Sequence, residues 1–363
     1  MLYILHTLPG LAGLAWREAE TLLPVPEDAP GAHTIGTRFV PGRNDMLLVD
    51  YKGTAKALTR LRISEDAFAM AARAFKIAPD ARGLRQIHAA VRSSSTYGNA
   101  IAAWSRTAGR GNRPQTFRVV AREVGKHKFM RREIGKAVAD AIGDGWNLRW
   151  RQVDDNADVE IWATLLQDEL ICAVRLSGAE MRQRGKLKHL PASLRPALAA
   201  AMVMLSRPEP SDVFLDPMAG AGTLLVERAA AGPFRAIYGG DINKEAVNAM
   251  RENAYGIKGD VTMQQWDVRK LPLDDASVTK VVVNLPFGRQ IADETVIPGL
   301  YQAALGEIQR VLRPGGRLIT LSADGRLVDE ARRLTARNLR PQQRHKLVVL
   351  GQAATIGEYI RGE

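Results

Sequence analysis

Asn284-Leu285-Pro286-Phe287-Gly288 follows the apolar run Val281-Val282-Val283, and its residue types suit holding an amino group conjugated to a ring. Such a nitrogen is a poor nucleophile because its lone pair is delocalised. Two acceptors that hold both its hydrogens turn that lone pair outward, and the Asn284 carboxamide oxygen with the Leu285 carbonyl can be the pair. Pro286 fixes the backbone and leaves no competing N–H, while Phe287 can stack on a base taken out of its helix. The chemistry this implies is in-line methyl transfer from a sulfonium, helped by positioning and desolvation. It needs no covalent adduct, and the single cysteine, Cys172, lies outside this region, which argues against a cysteine-adduct route to carbon methylation. Taken alone, Asn-x-Pro is also an ordinary turn composition.

Residues upstream weigh against the ordinary turn. Val213-Phe214-Leu215 reads as a strand ending at Asp216-Pro217-Met218-Ala219-Gly220-Ala221-Gly222-Thr223. A glycine turn at the carboxyl end of a strand lets a ligand approach the backbone. Leu225 stands where a dinucleotide fingerprint has its third glycine, which weakens a nicotinamide reading. Asp241, with Ile242 beside it, ends the next strand and can accept from a ribose diol. Asp267 ends the third and can accept from an adenine amino group, with Val268 supplying backbone contacts. Each acid could instead cap a turn; acids at three successive strand ends favour a nucleoside-like ligand.

The elements that carry these residues alternate. From Val213 onward, strands at Val213 to Leu215, Ala236 to Gly240, Val261 to Gln265, Val278 to Val283 and Arg317 to Leu321 are separated by helices starting near Thr223, Lys244, Pro298 and Arg326. That order predicts a mainly parallel sheet with helices on both faces, closed by a hairpin from Lys346 to Leu350 and Thr355 to Ile360. The first half reads differently. A strand over residues 2 to 7, a helix through Leu11 to Leu23 and a strand at Met46 to Tyr51 predict a small α+β unit up to Arg62. A strand at Thr116 to Arg122, a helix with Ile134, Val138 and Ile142 on one face, and strands at Asp158 to Leu165 and Leu170 to Leu176 predict a second, ending near Ser177. Exposed loops are expected at Ser93 to Asn99 and Gly109 to Arg113. A charged connector, Met181 to His189, then leads into an apolar helix, Leu194 to Leu205.

Charge separates the halves further. Arg60 to Lys136 carries 17 Lys and Arg against 5 Asp and Glu, which accounts for the entire net charge of +12. A basic stretch in a chain without an amphipathic anchor favours nucleic acid over a solvated face. Lys126, His127, Lys128, Arg131 and Arg132 are the phosphate-contact candidates, with Arg289 beside the amine motif as another. One cysteine excludes a disulfide framework and fits an intracellular, cytoplasmic setting. The 6 histidines are scattered, so no metal is expected, and neither a leader nor a membrane span is read.

Asp216-Pro217-x-x-Gly220-x-Gly222-Thr223 with Asn284-Leu285-Pro286-Phe287-Gly288 resembles the S-adenosylmethionine-dependent amino methyltransferases of RNA, DNA and protein glutamine. Thr116-Phe117-Arg118-Val119, Gly125-Lys126-His127-Lys128-Phe129-x-Arg131-Arg132-Glu133-Ile134 and Asp158-Val159-Glu160-Ile161 look like a THUMP domain. Leu8-Pro9-Gly10-Leu11 and His189-x-Pro191-Ala192-x-Leu194-Arg195-Pro196 are also similar to the THUMP-containing tRNA guanine-N2 methyltransferases. The resemblance implies an α/β chain with a ferredoxin-like domain at 1–62, a THUMP domain at 63–177, a linker and connecting helix at 178–206, and a Rossmann-like catalytic domain at 207–363. It implies S-adenosylmethionine held by Asp216, Pro217, Ala219, Gly220, Gly222, Thr223, Asp241, Ile242, Asp267, Val268 and Asn284. By the same likeness a monomer grips the 3′ end of tRNA and methylates guanosine N2 in the acceptor stem. Leu285 departs from many relatives, which have a second proline there. Ribosomal RNA as substrate, and a non-catalytic RNA-binding protein, remain alternatives; DNA and protein glutamine fit the basic half less well.

Overall fold

The computed structural model describes every residue apart from 26, 28, 109–114, 147, 185–186, 189, 191–192, 288–295 and 350. The chain divides into one compact unit of Met1–Thr7 and Ala15–Met181 and another of Leu8–Leu14 and Arg182–Glu363.

The first unit is built on strands β1 (Leu2–Thr7), β2 (His33–Arg38), β3 (Asp45–Asp50), β4 (Asp66–Ala74), β5 (Thr116–Val124), β6 (Arg151–Gln152), β7 (Val159–Leu166) and β8 (Glu169–Arg175). They form one sheet in the order β2-β3-β1-β4-β8-β7-β5-β6. Along this half of the chain run helices α1 (Ala12–Leu22), α2 (Ala55–Leu58), α3 (Ala81–Arg92), α4 (Tyr97–Ala108), α5 (Arg131–Gly145) and α6 (Glu180–Gln183). The sequence predicts two α+β units meeting at residue 62; a single sheet runs through that point. The joint is β4, which pairs antiparallel with β1, Ile4 opposite Phe68, and on its other side with β8. No strand is predicted there, because Asp66-Ala-Phe-Ala-Met-Ala-Ala-Arg-Ala is rich in helix formers. Every residue from Asp66 to Ala72 is buried, with α3 and α4 packed against the strand, so the covering of both faces overrides local propensity. The loop expected at Ser93 to Asn99 is partly helical. Its Thr96 hydroxyl donates to the Ala71 carbonyl of β4 at 2.7 Å, and Tyr97 opens α4.

The second unit carries β9 (Val213–Asp216), β10 (Ala236–Asp241), β11 (Val261–Gln265), β12 (Val278–Asn284), β13 (Leu312–Ser322), β14 (Leu339–Val349) and β15 (Gln352–Arg361), in the order β11-β10-β9-β12-β13-β15-β14. Its helices are α7 (Pro196–Leu205), α8 (Thr223–Ala230), α9 (Lys244–Asn253), α10 (Ile297–Val311) and α11 (Gly325–Thr335). β9 to β13 are mutually parallel and β15 runs antiparallel to both its neighbours, which closes a doubly wound, Rossmann-like sheet. Strand order reverses between β9 and β12, and ligands bind at such a switch point, outside the carboxyl ends of the strands. Leu225, at the missing glycine position, is fully buried over Gly239 of β10; a Cβ at Gly239 would lie 2.4 Å from it, so the glycine has moved to the strand beneath. Leu8-Pro9-Gly10-Leu11 packs on β14, where Val348 N donates to the Pro9 carbonyl at 3.2 Å. Gly10, at φ +91°, leaves room for the Lys346 carbonyl.

Candidate active site

The carboxyl ends of β9, β10 and β12 deliver Asp216, Asp241 and Asn284 to one cavity of about 190 Å³, which Gly220, Thr223 and Pro286 also line. The glycine turn is pinned to its neighbours as well as to itself, where Gly222 N donates to the Ala219 carbonyl at 2.7 Å. Ala219 N donates to the Gly240 carbonyl at 2.9 Å and Gly220 N to Asp241 Oδ2 at 3.0 Å. Gly220 and Gly222 sit at φ +51° and +78°, the left-handed region that favours glycine. A third pin comes from Trp266, whose indole donates to the Pro217 carbonyl at 2.9 Å. Its ring lies where a Cβ on Gly240 would stand, 2.2 Å from the nearest ring carbon. No motif in the sequence marks Trp266; its signal is the Gly239-Gly240 pair inside a strand, since glycine there marks a close approach.

Asp216 is 1% exposed, and its Oδ1 accepts from Met218 N at 3.2 Å. Burial holds its carboxyl well above the usual range; the Met218 N–H opposes this, and the charge of Asp241 adds to it. Asp241 both caps the following turn, accepting from Asn243 N at 3.0 Å, and faces the cavity. Asp267 and Val268 are not among the cavity residues. The Asp267 carboxylate is gripped by Arg269, whose hydrogen bonds hold it below the ordinary carboxylate range, and Val268 is buried. Ile242 is 61% exposed beside Asp241, its carbonyl held by Gln265 Nε2 at 2.8 Å.

At the end of β12, Asn284 Oδ1 is buried with no hydrogen-bond partner among the described residues. An acceptor left so costs about 1–3 kcal/mol, which a resting protein gains nothing from keeping. Leu285 is fully buried in the core with Ile297, Tyr301 and Leu305, and its N–H donates to the Leu321 carbonyl at 3.0 Å. Its side chain therefore packs, and only its carbonyl is left for chemistry. Phe287 is half-buried. Gly288, Arg289, His189, Pro191, Ala192 and the loop from Gly109 to Arg113 lie outside the described residues.

Asn253, which no motif indicated, ties the cavity wall together. Its Nδ2 donates to the carbonyls of Ala221 and Lys188 at 2.9 and 3.0 Å, and its Oδ1 accepts from the amides of Leu187 and Lys188. One side chain at the end of α9 thus joins the glycine turn to the connector.

In the first unit, Lys126, Lys128, Arg131 and Arg132 are exposed, and Arg131 and Arg132 line an open cleft of about 730 Å³ with Arg118 and Lys136. His127 behaves differently from its basic neighbours. Its Nδ1 meets Glu123 and its Nε2 meets the Gln167 carbonyl, both at 2.7 Å, so it staples the end of β5 and has no ring nitrogen left for a phosphate. Cys172 is buried in β8, its thiol pushed up to about 12, far from a nucleophile's range. Among the described residues no group of three or more His, Cys, Asp or Glu could hold a metal, and no helix is long and apolar enough to cross a membrane.

In the second unit, residues 183–350 match the family model described as UPF0020: RMKL-like, methyltransferase domain. The mouse protein named tRNA (guanine(6)-N(2))-methyltransferase THUMP3 is 32% identical over 234 residues, 60% of this chain and 46% of that one. A Thermus thermophilus protein named tRNA (guanine(6)-N2)-methyltransferase is 29% identical over 235 residues, 63% of this chain and 67% of that one. The crystal structure of TrmN from Thermus thermophilus superposes with a TM-score of 0.77 at 23% identity, covering 99% of this chain and 100% of that one, a likeness of fold. The chain spans about half the length of the mammalian relatives it matches.

Proposed function

We propose that this chain is an S-adenosylmethionine-dependent methyltransferase acting on the exocyclic N2 of a guanosine in the acceptor stem of tRNA. The observation that carries this reading is the buried Asn284 Oδ1, without a partner among the described residues, in the wall of the cavity that also holds Asp216 and the glycine turn. The relatives' names support the choice of tRNA and of guanine N2, and the exposed basic residues of the first unit support a nucleic acid. Residues 1–62 and 63–177 fit a ferredoxin-like and a THUMP domain built on one shared sheet, 178–206 a connecting segment and 207–363 the catalytic domain, working as a cytoplasmic monomer.

The residues present suit the cofactor. Gly220 leaves its side of the cavity open, with no atom of the described residues beyond its chain neighbours within 4 Å of where a Cβ would be, and Asp216 offers a carboxylate to a cationic methionine end. Asp241 keeps lone pairs for a ribose diol, exposed Ile242 offers an apolar face to a purine, and Asp267 can exchange Arg269 for an adenine amino group. Bound there, S-adenosylmethionine supplies an electrophilic methyl group on a sulfonium. The chain's own part is orientation: Asn284 Oδ1 and the Leu285 carbonyl take the two amine hydrogens, and Phe287 stacks on the base. Asn284 does not titrate, so it aims the nitrogen without drawing a proton from it.

Incubation with labelled S-adenosylmethionine and unmodified tRNA, followed by digestion to nucleosides, tests the assignment. Label in N2-methylguanosine supports it; label only in 1-methyladenosine or 5-methylcytidine rejects it. Competition by ribosomal RNA fragments separates the two RNA classes.

Asp216 gives cofactor binding a pH signature. Below its raised pKa the carboxyl is neutral, and a cationic ligand favours the charged form, so affinity should climb as pH rises through that value, with release of a proton. Stability moves oppositely: the contribution of Asp216 is full below the ordinary carboxylate range and is lost as pH rises through the raised pKa. Calorimetric titrations in buffers of different ionisation enthalpy measure the proton, and Asp216→Asn should abolish it.

Changing Lys126 and Arg132 to Ala should weaken RNA binding and reduce the slope of log affinity against log salt by about one per lost phosphate contact. An unaltered slope would return both residues to a solvated face.

A further inference from the structure

The amine-holding turn is anchored twice by groups that no motif contains. On one side of the Leu285 carbonyl, the Leu285 N–H is tied to the Leu321 carbonyl of β13 at 3.0 Å. On the other, the phenol of Tyr301, on α10, donates to the Pro286 carbonyl at 2.9 Å. Tyr301 is 2% exposed, packed in the core that also takes Leu285. The pyrrolidine ring of Pro286 locks φ, so ψ of this residue is the single soft torsion between the carbonyl that Tyr301 holds and the peptide plane before it, which carries the Leu285 carbonyl. That carbonyl is one of the two acceptors assigned to the amine; the other, Asn284 Oδ1, is one residue earlier.

We propose that Tyr301 is a positioning residue for methyl transfer, its hydroxyl fixing the Leu285-Pro286 peptide so that the Leu285 carbonyl and Asn284 Oδ1 together aim the nucleophilic nitrogen. The inference rests on the amine-methylation reading above. Burial, aided by the charge of Asp324, pushes the phenol up to about 12, so the donor persists across the working pH range. A hydroxyl satisfied by a backbone carbonyl could serve the core alone. What distinguishes the two roles is that an aiming group acts on the rate and on recognition of the amine, while a core hydrogen bond acts on the melting temperature.

Tyr301→Phe keeps the ring and deletes the hydroxyl. The single-turnover methylation rate should fall about 10-fold to 100-fold, the scale on which small misplacements act. Calorimetric affinity for S-adenosylhomocysteine and filter-binding affinity for tRNA should each stay within about twofold. A readout free of turnover is the competition of guanosine against inosine, which lacks the 2-amino group, for the protein saturated with S-adenosylhomocysteine, followed by saturation-transfer NMR. Wild type should prefer guanosine, and Tyr301→Phe should lose most of that preference.

A Tyr301→Phe protein with the wild-type rate and preference overturns the inference while leaving the functional reading intact. A slow variant that has also lost cofactor affinity and melts far below wild type assigns Tyr301 to the core and likewise overturns it. Wild type that neither methylates guanosine N2 nor prefers guanosine removes the functional reading itself, and the inference with it.

Discussion

Asn284→Ala should lower the methylation rate by about 10²–10³-fold, the loss seen when one preorganised polar contact to a reacting group is deleted, while tRNA binding changes little. The informative part is the sign of the accompanying stability change. Most buried polar groups are satisfied, so removing one costs stability. Asn284 Oδ1 has no partner among the described residues, and its deletion relieves a desolvated acceptor instead of breaking a hydrogen bond. The melting temperature of the variant should therefore stay level or rise while the rate collapses. Single-turnover kinetics with labelled cofactor beside differential scanning calorimetry measures both quantities. A variant that loses stability and rate together would mean that Asn284 belongs to the scaffold.

Gly240→Ala should damage cofactor binding from a position that touches no ligand. The added methyl would stand 2.2 Å from a carbon of the Trp266 ring, a separation that real side chains do not adopt. Either β10 or the indole has to move, and forced overpacking of this kind costs about 1–3 kcal/mol or more. For a domain of this size that lowers the melting temperature by about 2–12 °C. Displacing the ring breaks its bond to the Pro217 carbonyl, and displacing the strand disturbs the Gly240 carbonyl that receives Ala219 N. Both routes loosen the glycine turn, so S-adenosylhomocysteine affinity should drop about 10-fold or more. Adding Trp266→Phe makes room for the methyl but supplies no indole N–H. The double variant should recover melting temperature without recovering affinity, a coupling expected only of residues in contact. Recovery of both would leave the Pro217 hydrogen bond without a role.

The second unit was legible because its signals are local. β11 spans the residues read for it, α8 and α9 begin at Thr223 and Lys244 as read, and the acids at 216 and 241 stand at strand ends. β4 was hidden because an alanine-rich segment becomes a strand only when neighbours cover both its faces, and those neighbours lie far along the chain. Asp267, expected to end the third strand, lies two residues past the end of β11, and no motif marks Arg269, two residues on, which closes over its carboxylate. His127 stands in a run of cations, and the sequence does not show that both its ring nitrogens meet partners, Glu123 four residues back and the Gln167 carbonyl across the sheet. Tyr301 and Asn253 act through backbone carbonyls, and a carbonyl gives no residue type for a motif to record.

The ladder between β1 and β4 also governs how the protein can be taken apart. Four residue pairs, from Tyr3 opposite Ala69 to His6 opposite Asp66, cross the junction at which the sequence suggests a cut. A fragment ending at residue 62 would present the bare side of β1, and one starting at 63 the bare side of β4. Each would be an apolar strand with a row of unanswered N–H and C=O groups, the geometry that recruits other chains into aggregates. The first unit is excisable only as a whole, and an insertion or fusion point has to be sought outside that ladder.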